Sequence, residues 1–354
     1  MERITYVLGA GFSAPLGLPV MRDFLTKSKD LYFSDTTRYK HFEQVFTLIH
    51  DLSVAKNYFE VDLFNIEEIL SILEMQVFVE KRRLGRAFSK YVCDVIVHYT
   101  PPVVSRAGGL PGNWHDFVFG GSALQRQFGH FAGNILGLNF EYINDERHGE
   151  RRFLVQIADE RDFMYSIITL NYDMVLENFA DFVQENYETN RAVGFGKQIA
   201  GVPEDGRPAL AKLHGSVDSG AIVPPTWAKG THRKIAPVWK KAFELIERSN
   251  QIRFIGYSLP ANDAYIKYLL KASIVGAQNL KKIDVICLDP YGDVRQRYER
   301  FIRFNLLRFR DAATQDYLKA VPELSDPARP ERRVRESLYK INGLEKAHEQ
   351  FMGG

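Results

Sequence analysis

Polar side chains that can move protons follow directly after two short apolar segments. Asn171 and Asp173 come after residues 166–170, and His214 comes after residues 210–213. An imidazole with its ordinary pKa of about 6.5 accepts protons near neutral pH. A carboxamide both donates and accepts hydrogen bonds, so it can position a water molecule or a hydroxyl group. We therefore expect His214 to act as a general base, Asn171 to orient the reactants and Asp173 to complete the polar network.

These three residues also have structural alternatives. An asparagine or aspartate between a strand and a helix is often a cap, and Asp173 has the spacing to cap a helix through Leu176. A single histidine is more often structural than catalytic. The sequence leaves both interpretations open until the position of each side chain is known.

A glycine-rich turn stands near the start of the chain. Residues 9–14 (Gly-Ala-Gly-Phe-Ser-Ala) fit the pattern G-x-G-x-x-A between a predicted strand, Ile4–Leu8, and a helix from about Ser13. Glycines let the backbone approach a pyrophosphate, although any tight strand-to-helix turn has the same pattern. A hydride-transferring dehydrogenase has a second strand with an acidic end about 20 residues later. Residues 24–32 are lysine-rich and helical in pattern instead, which argues against such an enzyme.

Further apolar segments that end at a glycine or acidic residue indicate a parallel sheet. Ile252–Ile255 ends at Gly256, and Ile283–Leu288 ends at Asp289. Parallel strands are buried on both faces, and their sites lie at the carboxyl ends. Residues 24–140 have mostly helical apolar spacing. We therefore predict an α/β fold: a Rossmann-like parallel sheet with flanking helices and an inserted, mostly helical subdomain without a zinc ribbon.

The predicted fold divides the chain into three parts. Residues 1–30 and 150–310 form the Rossmann-like core. Residues 31–149 form the helical insert subdomain, and residues 311–354 form a C-terminal helical tail. Insert and tail are rich enough in aromatic residues to make contacts between subunits as well as core, and Phe117, Phe119, Phe128 and Phe131 are examples.

Composition excludes several classes of protein. A net charge of +2 over 354 residues argues against nucleic acid or a membrane surface as the main partner. Neither a run of roughly 18 apolar residues nor a signal-peptide pattern is present, so we expect a cytoplasmic protein. Cys93 and Cys287 are the only cysteines and cannot build a four-thiolate zinc site, and the nine histidines have no metal-ligand spacing. We predict no metal.

Five short motifs in a fixed order resemble the sirtuin superfamily. They are the glycine turn, Gly17–Arg22 (Gly-Leu-Pro-Val-Met-Arg), Thr169–Asp173 (Thr-Leu-Asn-Tyr-Asp), Leu213–Ser216 (Leu-His-Gly-Ser) and Ile255–Pro260 (Ile-Gly-Tyr-Ser-Leu-Pro). The resemblance covers about Ile4 to Asp289, and the helical insert matches only loosely. It implies that the Rossmann-like core binds NAD⁺. The contacts it implies are Gly9, Ala10, Gly11, Phe12, Ser13, Pro19, Arg22, Gly215, Gly256, Ser258 and Asp289. Asp289 has an alternative role, the start of a turn at Pro290.

The details resemble one branch of that superfamily. Protein-deacylating sirtuins carry a four-cysteine zinc ribbon and typically Thr-Gln-Asn-Ile-Asp, and this chain has neither. Residues 171–177, Val223–Trp227 and 256–260 look like the bacterial sirtuin-like branch used in antiphage defence. That resemblance implies an NAD⁺ glycohydrolase that yields nicotinamide and ADP-ribose and acts by NAD⁺ depletion, in abortive infection. It also implies a HerA-like ATPase or another defence-system partner. Because a toxic enzyme must stay inactive until it is needed, we expect the insert and the tail to form a homo-oligomer that controls it.

Two other functions are compatible with the same motifs. One is an atypical NAD⁺-dependent protein deacylase or ADP-ribosyltransferase, which needs an open channel for a peptide. The other is a non-catalytic sensor of NAD⁺ or ADP-ribose that controls assembly. Release of nicotinamide and ADP-ribose from NAD⁺ by the pure protein separates hydrolysis from both.

Overall fold

A computed structural model describes most of the chain. The described residues are 1–59, 61–63, 65–66, 68–69, 71–72, 75, 79, 85–103, 122–145, 150–158, 161–196, 206–222, 235–260, 263–324, 336–340 and 343–353. None of the helices in these ranges combines the length and the apolar character that a membrane-spanning helix needs.

Twelve strands and eleven helices of at least one α-turn lie in the described ranges. The strands are β1 (Glu2–Leu8), β2 (Leu138–Asp145), β3 (Glu150–Ile157), β4 (Phe163–Thr169), β5 (Glu188–Thr189), β6 (Ala209–Lys212), β7 (Gly215–Ser216), β8 (Ala221–Ile222), β9 (Gln251–Ile255), β10 (Lys282–Cys287), β11 (Leu307–Asp311) and β12 (Glu336–Lys340). The helices are α1 (Ala10–Ser13), α2 (Phe24–Ser34), α3 (Phe42–Leu52), α4 (Gly85–Tyr99), α5 (Ala123–Leu136), α6 (Val175–Asn186), α7 (Ala236–Glu247), α8 (Ala264–Ile274), α9 (Asp293–Phe301), α10 (Thr314–Leu324) and α11 (Leu344–Gly353).

The main sheet has six strands in the order β11-β10-β9-β1-β4-β6, and every neighbouring pair is parallel. The central strands are buried over nearly their whole length, because helices cover both faces of a parallel sheet. All carboxyl ends therefore meet at one edge. The predicted α/β fold with a Rossmann-like parallel sheet and flanking helices is confirmed.

A second sheet was not predicted from the sequence. It has the order β12-β2-β3-β5, with β12 and β2 antiparallel. The predicted helical insert therefore ends in a strand, and the predicted helical tail contributes another. One hydrophobic core includes Tyr6 of the main sheet, Tyr91 and Phe131 of the insert helices, and Tyr317 of the tail. Because core, insert and tail share these contacts, the three-part division of the chain stays a proposal.

A buried arginine fastens the C-terminal helix to the main sheet. Arg253 lies in β9 beside Tyr6 of β1, and its side chain is completely buried. Its guanidinium donates to the Tyr6 hydroxyl at 2.8 Å and to both carboxylate oxygens of Glu345, in α11, at 2.8 and 2.5 Å. A buried cation is costly unless an opposite charge accompanies it. The carboxylate of Glu345 therefore fixes the position of α11.

A second ion pair on the same face extends this attachment. Asp284 of β10 accepts two hydrogen bonds of 2.7 Å from Arg308 of β11 and lies 2.8 Å from Nε2 of His348. Burial and the charge of Arg253 lower the pKa of His348 to about 4, so the imidazole is neutral at pH 7. Its one N–H donates to Asp284, and Nδ1 accepts from the Tyr317 hydroxyl at 3.1 Å.

Replacing Glu345 tests this arrangement. Glu345→Gln keeps the shape of the side chain but leaves the Arg253 charge uncompensated, so we expect the free energy of unfolding to fall by about 3 kcal/mol or more. Denaturation in urea, followed by fluorescence, measures it. Glu299→Gln, at an exposed position on α9, is the matched control and should change stability by less than about 0.5 kcal/mol. Equal stability of the two variants would contradict the role of Glu345.

Candidate functional site

The glycine turn lies directly on the end of a neighbouring strand. The N–H groups of Gly9 and Gly11 donate to the carbonyls of Ile255 and Gly256 at 3.0 and 2.9 Å. Gly256 has a φ of +64°, and a Cβ there would lie 2.3 Å from the backbone nitrogen of Phe12. These glycines are therefore required for packing between β1 and β9. Close approach to a pyrophosphate, the role expected from the sequence, stays a prediction.

Asn171 is held rigidly at the end of β4. Its Nδ2 donates to the carbonyl of Gly9 at 3.0 Å and to the hydroxyl of Ser13 at 3.2 Å. These bonds engage both N–H groups of the carboxamide, so its carbonyl oxygen points away from the glycine turn. The side chain is buried, with 8% of its surface exposed. This geometry fits an acceptor that orients a water molecule or a hydroxyl group.

Asp173 lies beside Asn171 and begins the next helix. Its Oδ1 accepts a hydrogen bond of 3.1 Å from the N–H of Val175, which is the first residue of α6. Asp173 therefore bonds to the start of the helix, as its structural alternative predicted, but the donor is Val175 and not Leu176. Burial raises the pKa of the Asp173 carboxyl above its ordinary value, and the charge of Lys212 and a hydrogen bond from Ser13 oppose the rise. Ser13 thus contacts both polar residues.

An ion pair beneath these residues was missed by the sequence analysis. Lys212, the last residue of β6, donates to the backbone carbonyl of Asp173 and to Oε1 of Glu177, the latter at 2.8 Å. Burial raises the pKa of Glu177, and the charge of Lys212 opposes that rise. The charge of Lys212 therefore acts on the carboxyl groups of both Asp173 and Glu177. Its hydrogen bonds join β6 to the turn after β4. The signal was present in the sequence, since Lys212 is a charge in an apolar strand directly before Leu213 and His214.

His214 lies at the neighbouring strand end. Thr169 of β4 pairs with Lys212 of β6, so Asn171 and His214 each stand two residues beyond a paired position. The segment is fixed because Leu213 donates to the Thr169 carbonyl at 2.9 Å and accepts from the indole of Trp239 at 3.1 Å. His214 is 1% exposed, and its ring centroid lies 5.8 Å from that of Tyr172.

A small cleft opens beside these residues. It has a volume of about 60 Å³. A water molecule needs about 10–15 Å³ of such a volume, so the cleft can hold ordered water. Its polar lining residues are Ser13, Asn171 and Asp173. Its apolar lining residues include Phe24 and, from the insert, Ile66, Val92 and Ile96, and Ala10 and Pro19 also line it. His214 is not among the described lining residues of this cleft.

Several other residues implied by the resemblance have clear positions. Ala10, Ser13 and Pro19 line the cleft. Phe12 is 1% exposed and packs against Phe128 and Phe131, at ring distances of 5.2 and 5.5 Å, so it belongs to the hydrophobic core. Phe128 and Phe131 are themselves fully buried, which makes them core residues; Phe117 and Phe119 lie outside the described residues.

The remaining implied contacts lie around the same edge. Arg22 is exposed. Gly215 has a φ of +86° and pairs with Ile222 in the β7–β8 hairpin. The Ser258 carbonyl accepts from Nε of Arg297 at 3.0 Å.

Asp289 has the structural role that the sequence left open. Its carboxylate accepts the N–H groups of Val294 and Arg295 at 3.0 and 2.8 Å and so begins α9. The Val223–Trp227 motif lies outside the described residues.

One cluster in the described residues has side chains of metal-ligand type. Asp284, His348 and Glu349 have ligand atoms within 4.8 Å of one another. Arg308 already donates to Asp284 and Glu349, and Lys282 donates to Glu349 at 2.6 Å. Two cations inside the cluster repel a metal ion, so these residues form an ion-pair network.

Comparison with known proteins identifies the domain. Residues 165–306 match the family model described as a SIR2-like domain. This part of the chain is a SIR2-like domain, as the sirtuin motifs predicted. The match includes Asn171, His214, Gly256 and Asp289, and the glycine turn precedes it. No curated protein sequence matches the chain.

Solved Sir2 structures align with low scores. A complex of Sir2 with a p53 peptide and NAD⁺ is 11% identical, covers 91% of this chain and 92% of its own, and has a TM-score of 0.37. Sir2Tm bound to a propionylated peptide is 12% identical over 91% and 92% of the chains, with a TM-score of 0.35. A complex with EX-527, 2′-O-acetyl-ADP-ribose and deacetylated p53 peptide is 11% identical over 91% and 93%, with a TM-score of 0.34. The assignment to the SIR2-like family therefore rests on the match of residues 165–306 to the family model and not on these alignments.

Gly256 offers a test of the strand-end packing. Gly256→Ala and Gly292→Ala both place a Cβ at a positive φ, +64° and +80°, which costs about 1–2 kcal/mol each. Only at Gly256 does the new Cβ meet backbone; nothing lies within 4 Å at Gly292. We therefore expect Gly256→Ala to be less stable than Gly292→Ala by a further 1–3 kcal/mol, roughly. Urea denaturation of both variants measures the difference, and equal losses would show that the close contact is not needed.

Proposed function

We propose that the SIR2-like domain binds NAD⁺ at the carboxyl edge of the main sheet and hydrolyses its nicotinamide–ribose bond. The observation that carries the proposal is the fixed carboxamide of Asn171, held by Gly9 and Ser13 next to the strand end that bears His214. This edge is where ligands bind in open parallel sheets. The glycine turn, implied by the resemblance to contact the pyrophosphate, lies beside Asn171.

The chemistry needs few protein groups. The C1′–N bond of NAD⁺ breaks with its electron pair going to nicotinamide, which leaves neutral, while positive charge develops on the ribose. Water adds to C1′ and loses a proton, so the products are nicotinamide, ADP-ribose and one proton. The carbonyl oxygen of Asn171 orients the water or a ribose hydroxyl, and His214 accepts the proton. Asp173 holds the polar network through Ser13 and the start of α6.

Water exclusion is the other requirement, because stray water and a high dielectric weaken the electrostatic contacts of a charged transition state. Apolar side chains cover the strand ends: Phe24, and Ile66, Val92 and Ile96 of the insert, are each at most 7% exposed. NAD⁺ is far larger than the 60 Å³ cleft. Binding therefore begins with outward movement of the insert and ends with its closure over the substrate.

The catalytic prediction compares two histidines. His214→Ala and Asn171→Ala should each lower the rate of NAD⁺ cleavage by about 10²-fold or more, because one removes the proton acceptor and the other the orienting group. His98→Ala, at an exposed position on α4, is the matched control and should keep full activity. Chromatography of nicotinamide and ADP-ribose measures the rates, and circular dichroism verifies the fold.

Two outcomes would contradict this proposal. Full activity in folded His214→Ala would remove the imidazole from the mechanism, and a folded wild-type protein that binds NAD⁺ without releasing nicotinamide would favour a sensor. We also propose that no zinc is needed, because two cysteines cannot form a four-thiolate site. Cleavage should accordingly continue in the presence of a chelator.

The proposed role in defence rests on the resemblance. The proposed assembly rests on one exposed apolar surface. We propose a homo-oligomer that depletes NAD⁺ during abortive infection, with a HerA-like ATPase as one kind of partner. Phe128 and Phe131 are buried and cannot supply its contacts. Three other insert residues, Val54, Tyr58 and Phe59, lie within six positions of one another and expose 61–78% of their surfaces, and a contiguous apolar patch of this kind would be typical of a contact surface.

Assembly is tested by light scattering coupled to size exclusion. The wild-type chain should elute as an oligomer, and the double change Tyr58→Ser with Phe59→Ser should shift it towards the monomer by removing apolar contact area. Phe33→Ser, at another exposed aromatic, serves as the control. A single monomeric wild-type peak at micromolar concentration would rule out assembly through this surface.

A further inference from the structure

A lysine with most of its side chain buried lies beneath the polar residues of the candidate site. Lys212 is the last residue of β6, and 12% of its side chain is exposed. Its Nζ lies 2.8 Å from Oε1 of Glu177, in α6, and donates to the backbone carbonyl of Asp173. Because β6 pairs with β4, the ammonium group is fixed between the two strand ends that lead to Asn171 and His214.

The charge of this ammonium group acts on three carboxyl groups. They belong to Asp173 in the turn after β4, to Glu177 in α6 and to Asp218 after β7. Burial raises the pKa of Asp173, and the charge of Lys212 opposes the rise. His214 stands two residues after Lys212 and is also titratable. Since a nearby opposite charge favours the ionised form of a carboxyl group, the ionisation of Asp173 depends on Lys212.

An ionised Asp173 sets the direction of the hydrogen bonds that hold Asn171. A carboxylate accepts hydrogen bonds and donates none, so the Ser13 hydroxyl gives its one proton to Asp173. The Ser13 oxygen then accepts from Nδ2 of Asn171 at 3.2 Å, and the Gly9 carbonyl accepts from the same nitrogen at 3.0 Å. Both N–H groups of the carboxamide are therefore engaged, and its carbonyl oxygen is held away from the glycine turn.

A neutral Asp173 no longer sets this direction. A protonated carboxyl group has an O–H that can donate to the Ser13 oxygen, where it competes with the N–H of Asn171. The carboxamide of Asn171 is then held mainly by the Gly9 carbonyl. A loosely held orienting group contributes less to a reaction rate, because small displacements remove the reactive alignment.

We propose that Lys212 is a positioning residue of this site: its charge keeps Asp173 ionised, and Asp173 in turn fixes the Asn171 carboxamide through Ser13. Lys212 is not among the described residues that line the cleft, and it acts through these neighbours. The effect on Asp173 is a property of the protein alone. The effect on catalysis rests on the proposed hydrolysis of NAD⁺, in which Asn171 orients the reactants.

A ¹³C NMR titration of the aspartate side chains in the full chain tests the first step without any substrate. Asp173→Asn identifies the signal of Asp173 by its disappearance. Lys212→Gln keeps hydrogen-bond donors at this position but removes the charge, so we expect it to raise the pKa of Asp173 by about one unit or more. Lys240→Gln, at an exposed position on α7, is the matched control and should leave that pKa unchanged.

The pH dependence of NAD⁺ cleavage tests the second step. The acid limb of the profile, where kcat falls at low pH, should move to higher pH in Lys212→Gln, because Asp173 then takes up its proton at a higher pH. Removal of a cation moves the titration of His214 in the same direction. Comparison with the NMR titration shows whether the limb follows Asp173. A loss of packing alone would lower kcat without moving this limb.

Three results would overturn the proposal. One is an unchanged pKa of Asp173 in folded Lys212→Gln. Another is an equal rise in Lys240→Gln, which would indicate a general charge effect. The third is a raised pKa of Asp173 with an acid limb that stays in place, which would separate Lys212 from Asn171. A wild-type chain that does not cleave NAD⁺ would instead contradict the proposed function, and the NMR titration would still decide whether Lys212 controls Asp173.

A second pair of variants decides the matter should Lys212→Gln fail to fold. Glu177→Gln removes one partner of the ion pair, and the double change Lys212→Gln with Glu177→Gln removes both, so that neither charge is left buried without the other. These two proteins differ only in the side chain at position 212. The pKa of Asp173 should be higher in the double variant by about one unit or more, and equal values would contradict the role of Lys212.

Discussion

The end of β1 and the end of β9 meet without side chains between them. Gly9 and Gly11 donate to the carbonyls of Ile255 and Gly256, and Gly256 leaves no space for a Cβ. This contact sets where the chain turns into α1 and therefore where Ser13 stands. Asn171 takes its orientation from Ser13 and from the carbonyl of Gly9. The geometry of the site thus depends on backbone packing, which a change of side-chain rotamer cannot adjust.

Buried charges connect elements that the contact between β1 and β9 does not hold together. Lys212 joins β6 to the turn after β4 through Asp173 and Glu177, and Arg253 joins β9 to α11 through Glu345. Buried ion pairs often add little net stability, but an unpaired partner is costly. They therefore favour one arrangement over alternatives in which a charge is left alone. Near the site, Lys212 faces two carboxylates whose pKa values burial raises, so the region is negatively charged whenever both are ionised.

Sequence patterns predicted the elements whose signals are local. Apolar strands that end at a glycine or polar residue gave the parallel sheet, and the motifs gave residues that meet at one edge: Ser13, Asn171, Asp173 and His214. The second sheet was missed because β12 pairs with β2 across more than half of the chain, and no local periodicity encodes that pairing. Arg253 looks in sequence like a solvent-facing strand position, and only the completed packing places Tyr6 and Glu345 around it. The implied contact at Phe12 depended on a motif, and the motif does not reveal that its ring points into the core.

The closed cleft connects the fold to the proposed activity. Phe24, Ile66, Val92 and Ile96 belong to the same core that holds the insert to the main sheet, so they cannot leave the strand ends without losing buried apolar surface. Exposing two such side chains costs about 3–6 kcal/mol. That cost lowers the apparent affinity for any ligand that needs the open state, because only the open fraction can bind it. Under the proposed function the isolated chain is therefore restrained by its own packing. A partner or neighbouring subunit that binds only the open arrangement of the insert removes part of that cost without any contact with NAD⁺.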